Sequence, residues 1–189
     1  MPMPPLLPSL DWQAIHASGV DYEEWLARGE HPENRREMEE GLRVQTLGPA
    51  IEGYLAALPT RVHVVGIAED WCGDVIRHVP VLQRMAQAAP NLWVSYVTRS
   101  QHLEVFARFL TNGGEAIPKF IFFSERFVEC GHWGPLPEAC RRLIARGKAC
   151  GDVSSARKKV SLLYQADPEK RQVVRELLDL IDTASAQVP

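Results

Sequence analysis

No run of about 18 apolar residues occurs in the 189-residue chain, so a conventional membrane-spanning helix is not expected. Cysteine is scarce. Cys72, Cys130, Cys140 and Cys150 are too few and too widely spaced for the disulfide framework of a small secreted domain. Cys130-Gly131-His132 is one residue tighter than the usual zinc-ligand spacing, so neither a metal nor a cofactor is expected. The 21 Lys and Arg are outnumbered by 24 Asp and Glu, giving a net charge of -3. That balance leaves no basic footprint for nucleic acid or for an anionic membrane surface. The opening "MPMPPLLPSL" lacks a basic stretch and is interrupted by prolines, which argues against a signal peptide and makes the cytoplasm the expected compartment. What is present is ordinary: 46% hydrophobic and 24% charged residues, enough to bury one sizeable core.

The first 60 residues read as a helical extension. Asp21 and Glu24 have the spacing of a capping box, in which Asp21 caps the helix and Glu24 reaches back. A longer segment places Met38, Leu42, Leu47, Ile51 and Leu55 at helical spacing, with a break at Gly48-Pro49. With Trp25, these residues are expected to pack on a core that spans residues 61–150.

Within that core the elements alternate in type, the pattern of an α/β protein. "VHVVGIA" from Val62 is a short β-branched run, expected as a buried strand. After Cys72, residues Val75, Val79, Leu82 and Met85 mark one face of a helix. "LWVSYVT" is expected as a strand, and Leu103 to Leu110 as a helix closed by Asn112-Gly113-Gly114. "KFIFF" and "RFVEC" are two strands around a tight turn, hence antiparallel, and Pro135 to Arg146 is a further helix. Residues 151–189 form a C-terminal segment with an amphipathic helix from Pro168 to about Thr183.

The chemistry centres on "EDWCGDV". Cys72 stands where a strand gives way to a helix, expected as the helix's first or second residue. There the free backbone N–H groups and the positive end of the helix dipole favour thiolate over thiol. Glu69, Asp70 and Asp74 oppose ionisation by like charge, and Arg77 and His78 offset this in part. Sequence alone leaves the net direction open.

Trp71-Cys72-Gly73 resembles the W-C-G-P-C motif of the thioredoxin family. Ile117-Pro118 ahead of "KFIFF" resembles that family's cis-proline, and "GHWGP" resembles its glycine loop beside the active site. More narrowly, "AEDWCGDV" with Asn34-Arg35-Arg36 in a helical extension resembles bacterial thioredoxin-like proteins in which W-C-G-D replaces W-C-G-P-C. The resemblance implies a thioredoxin-like fold, a central mixed sheet flanked by helices, with Cys72 as the nucleophile. It also implies that Trp71, Gly73, Ile117, Pro118, Trp133 and Gly134 line the substrate side, with Trp71 and Trp133 as a hydrophobic rim. The family's second cysteine is replaced by Val75, and its buried aspartate, six residues before the first cysteine, by Gly66. Asp74 is the candidate substitute proton acceptor.

Without a second thiol, a mixed disulfide on Cys72 must be resolved from outside. The chain is therefore expected to be a thiol-disulfide oxidoreductase acting through one cysteine on a thiol- or disulfide-containing protein or glutathione. The other class is a binding module in which the groove beside Pro118 holds a peptide. Cys130, partway along the last strand, points away as a resolving thiol. Arg35 and Arg36 read as a solvated helix face or as anchors of the extension.

Overall fold

The computed structural model describes residues 9–111 and 113–188. The proline-broken opening and Asn112 of the expected helix stop lie outside the described residues.

Two short helices, α1 (Trp12–Ser18) and α2 (Tyr22–Ala27), each begin at an aspartate that accepts a backbone N–H: Asp11 from Ala14 at 2.9 Å and Asp21 from Glu24 at 2.8 Å. Glu24 does not complete the expected box; its carboxylate turns to Arg28 one turn on. The break at Gly48-Pro49 separates α3 (Pro32–Val44) from α4 (Pro49–Ala56). Gly48 takes the positive φ of 82° that its missing Cβ permits, and Pro49 opens the next helix, where its absent N–H costs nothing. Of the apolar residues expected to anchor this extension, Trp25, Met38 and Leu55 are buried, and Leu42 and Ile51 pack against the core.

Next come β1 (Val62–Ile67), α5 (Gly73–Ala88) and β2 (Leu92–Val97). α6 (Leu103–Phe106) tightens into a 3-10 turn over Ala107–Phe109, so the expected helix is shorter than its pattern. β3 (Lys119–Phe123) and β4 (Glu129–Trp133) form the hairpin. β4 starts later than expected because Phe127 adopts a positive φ of 58° in the turn. The sheet order is β2-β1-β3-β4, with β1 parallel to β2 and the other pairs antiparallel, which is the expected mixed sheet.

α7 (Glu138–Ala149) pairs with α8 (Val153–Ala166) as a helical hairpin. α8 was missed because it buries only Ala156 and Val160, too few to make a periodic signal. The helix that covers the sheet beside α5 is α9 (Arg171–Ser185), packed on β4, β3 and β1 through Val173, Val174, Leu177 and Ile181. It was expected as a terminal segment outside the 61–150 core.

At the edge of the sheet, β2 is covered. Val20 exchanges two backbone hydrogen bonds with Tyr96, at 3.0 and 2.8 Å, and the Ser95 hydroxyl donates to the His16 carbonyl at 2.7 Å.

Candidate active site

Cys72 is the N-cap of α5, one residue before the expected position; its carbonyl accepts from Ile76 N at 3.0 Å. The backbone N–H groups of Asp74 and Val75 face its sulfur and favour thiolate. Ile117-Pro118 is cis, and the Cys72 thiol donates to the Ile117 carbonyl at 3.5 Å, so the two motifs meet in space. Gly134-Pro135, in the expected glycine loop, is also cis, which the sequence did not signal. Gly134 lies against Pro118: a Cβ at Gly134 would fall 2.1 Å from the Pro118 carbonyl oxygen.

Burial is the largest influence on the Cys72 thiol and holds it above its ordinary range, against the lowering effect of the Val75 and Asp74 N–H groups. Asp74 adds to the rise. Its own carboxyl is pushed up to about 6 by burial, with Arg77 pulling the other way. Glu69 and Asp70 are committed elsewhere: Glu69 accepts from Arg99 N at 2.9 Å, and Asp70 from His31 N at 2.8 Å. The expected cations are also diverted. His78 is 0% exposed and its imidazole is pushed down to about 3 by burial, so it is neutral. Arg77 stacks on the Tyr164 ring at 3.8 Å. The cation that favours the thiolate is Arg99, which the sequence reading missed; its guanidinium lies 5.5 Å from the centre of the Trp71 ring.

Trp71 is 51% exposed beside the sulfur, but the expectation that Trp133 completes a rim is corrected. Trp133 is 2% exposed, stacked on Phe120 at 5.5 Å, edge-on to His78, and its Nε1–H donates to Glu176 at 2.7 Å. As the cross-strand partner of Phe120, it points into the core. Val75 is 0% exposed under the nucleophile. Cys130 lies in β4 opposite the Phe122–Phe123 end of β3, several residues and on the order of 13 Å along the strand from Pro118.

The place of the family's buried aspartate is taken by an aromatic ring. Gly66 and Tyr96 are partners across β1 and β2, and a Cβ on Gly66 would lie 2.9 Å from the Tyr96 ring. The space beside residue 66 is thus filled by Tyr96, which stacks on Trp25 at 5.2 Å. The extension also holds the loop that carries Cys72. Asn34 Nδ2 donates to the Asp70 carbonyl at 2.9 Å, His31 N holds the Asp70 carboxylate, and Trp25 Nε1 donates to the Ala68 carbonyl at 3.3 Å. Asn34 and His31 supply this anchor; Arg35 pairs with Glu39 on its own exposed helix face, and Arg36 is exposed.

Among the described residues no helix is long and apolar enough to cross a membrane, and no group of three or more His, Cys, Asp or Glu is placed to hold a metal ion. No curated protein matches the chain. Among solved structures it is similar to a protein of unknown function from Pseudomonas aeruginosa, with 16% identity over 93% of this chain and 99% of that one and a TM-score of 0.71. It is equally similar to an HIV epitope scaffold, with the same identity and coverage and a TM-score of 0.70. At that identity the likeness is one of fold. A family model described as thioredoxin matches residues 19–155, a span that begins in the extension and takes in Cys72, Pro118 and both strands of the hairpin. The chain therefore belongs to the thioredoxin family, in a form that keeps the first cysteine of the motif and lacks the second.

Proposed function

We propose that the protein is a monothiol member of its family, in which Cys72 exchanges with a disulfide of an extended peptide or of glutathione laid along Ile117 and Pro118. The observation that carries this reading is the 3.5 Å approach of the Cys72 sulfur to the Ile117 carbonyl, at a helix N-terminus beside the exposed Trp71. The Cys72 thiolate attacks one sulfur of the substrate disulfide, forming a mixed disulfide and releasing the other sulfur as thiolate. An external thiol, glutathione by class, then attacks the mixed disulfide and returns Cys72 to the reduced state. Asp74, half-buried one turn-start away, takes the proton as Cys72 ionises and gives it to the departing thiolate. The cytoplasm, where free thiols are abundant, suits such a cycle. The W-C-G-D form of the motif with its helical extension marks the subgroup in which it operates.

A raised thiol pKa does not by itself defeat this chemistry. Each unit of rise cuts the thiolate fraction tenfold at neutral pH but raises intrinsic nucleophilicity about threefold, so the net loss is about threefold per unit. The same observation nevertheless favours a second reading, a peptide-binding module in which the buried thiol packs and does not turn over. Incubation with oxidised glutathione followed by mass spectrometry separates the two. The monothiol reading expects a glutathione adduct that peptide mapping places on Cys72, apart from any on the exposed Cys150 or the half-buried Cys130, absent in Cys72→Ser and released by reduced glutathione. Peptide binding that persists unchanged in Cys72→Ser, with no adduct in the parent protein, would leave the binding module.

A further inference from the structure

About a turn and a half beyond Cys72, α5 presents Arg77 and His78 to a cavity of about 150 Å³, walled by α7, α8 and the turn leading into α9. The Arg77 guanidinium is held by the Tyr164 ring at 3.8 Å and by a long hydrogen bond from Nη2 to the Tyr164 carbonyl at 3.4 Å, while its Nε is buried without a partner. Across the cavity, among the described residues, Lys170 Nζ reaches only the neutral Oε1 of Gln45, at 3.3 Å. Among the described residues neither cation is in an ion pair. Behind them, buried His78 donates or accepts at Tyr164 Oη through Nε2 at 3.3 Å, and its Nδ1 has no partner.

The acidic groups nearby are committed. Both oxygens of Asp167 accept backbone N–H groups at the start of α9, from Arg171 at 2.9 Å and Gln172 at 3.0 Å. Glu176 accepts from Trp133 Nε1, Glu138 N and Gln172 Nε2. Asp74 is close enough for Arg77 to pull its carboxyl down against burial, and at about 6 it is mostly ionised at neutral pH, yet among the described residues it forms no ion pair with Arg77. Two half-buried cations that face one cavity with neither in an ion pair among the described residues repel each other, and burial followed by Arg77 lowers the Lys170 ammonium accordingly.

We propose that this cavity is a binding site for a small oxyanion, a phosphate or carboxylate group, gripped between the Arg77 guanidinium and the Lys170 ammonium. An oxyanion there turns the repulsion into two charge-assisted contacts and gives the guanidinium, already oriented by Tyr164, the planar acceptor it suits. The volume corresponds to on the order of five water molecules, room for such a group and a few attached atoms but not for a nucleotide.

The test is thermal unfolding and calorimetric titration of the full chain with inorganic phosphate and with acetate, against chloride at matched ionic strength. A ligand that binds only the folded state raises Tm in a saturable way. A response to phosphate alone identifies a phosphoryl ligand, a response to acetate alone a carboxylate, and both a general oxyanion site. Arg77→Met, which keeps an apolar stem, and Lys170→Gly should each weaken binding at least tenfold. Lys170 has a positive φ of 54°, which glycine adopts freely, so the second variant removes the ammonium without straining the fold. Cys72→Ser should leave the affinity unchanged. No saturable response to either anion beyond chloride, or full binding retained in either cation variant, overturns the proposal.

Discussion

Replacing Gly66 with aspartate would restore the family's buried acid by name, yet the packing predicts that it will nearly unfold the protein. The new Cβ would lie 2.9 and 3.0 Å from two carbons of the Tyr96 ring, closer than real Cβ atoms approach. Tyr96 cannot retreat, because it is fully buried and stacked on Trp25. Overpacking of this kind costs about 1–3 kcal/mol. The carboxyl, protonated or not, would enter a strand buried along its whole length, adding roughly 2–3 kcal/mol for an unsatisfied polar group. The sum, about 3–6 kcal/mol, is a large share of the 5–15 kcal/mol that typically holds a domain together. Urea unfolding followed by circular dichroism, with the slope checked for constancy, measures it. Tyr96→Phe is the control: its hydroxyl is buried without a partner, so its loss should be neutral or stabilising by about 1 kcal/mol. Tyr96→Ala is destabilising alone but makes room, so Gly66→Asp should cost about 1–3 kcal/mol less in that background. A Gly66→Asp protein within about 1 kcal/mol of the parent, or strict additivity with Tyr96→Ala, would refute the claim that Tyr96 occupies the acid's place.

Asp74 gives a pH signature. Its folded pKa, about 6, lies above the ordinary carboxylate value, so the folded state binds more protons and stability falls as pH rises from about 4 to about 6. Discounted for its partial exposure, this amounts to roughly 1–2 kcal/mol, and Asp74→Asn should flatten that part of the stability-pH curve. Buried His78 acts with the opposite sign: its depressed pKa, about 3, contributes stability present above the usual histidine range and lost as pH falls towards 3, so the difference between parent and Asp74→Asn isolates the carboxyl. Val75→Cys should turn an inactive protein into a measurable, slow reducer of insulin disulfides, because position 75 is already buried beneath Cys72; no activity above Cys72→Ser would contradict the geometry. Trp133→Phe, which keeps the stack on Phe120 but loses the bond to Glu176, should lower stability by about 1–2 kcal/mol and leave the rate of Cys72 alkylation unchanged. Asn34→Ala should lower Tm by about 2–4 °C, a loss near 1 kcal/mol, and raise hydrogen exchange in the loop carrying Cys72.

Those features of the site that depend on one short segment were readable in the sequence, and those that depend on register were not. The Cys72 and Ile117-Pro118 motifs each announce themselves locally, and the alternation of β-branched runs with helical spacing then brings them together. Trp133 could not be told from a rim residue until its pairing with Phe120 turned it inward. Arg99 is distant in the chain and reaches Cys72 only because β2 lies parallel to β1. The carboxylates at Glu69 and Asp70 were visible, but their partners, Arg99 N and His31 N, are backbone groups that no side-chain pattern reveals. The closing role of α9 was hidden by the α7–α8 hairpin inserted before it, whose second helix buries too little to show a period.

The bridge between Val20 and Tyr96 bears on how copies of the chain meet one another. A sheet of four strands has two open margins, and each is a template on which a second molecule can add a strand. At β4 the margin is irregular, with a bulge in its pairing and Phe127 in a left-handed turn, a poor template. At β2 the strand "LWVSYV" is regular and largely apolar, and what blocks it is the extension, which occupies both the N–H and the carbonyl of Tyr96 and holds the Ser95 hydroxyl. A chain cut before Val62 would keep every strand and the Cys72 motif itself, though not the anchors of its loop, and would present that margin bare, so its failure should be intermolecular: strand-paired dimers or aggregates that grow with concentration and not a loss of the sheet.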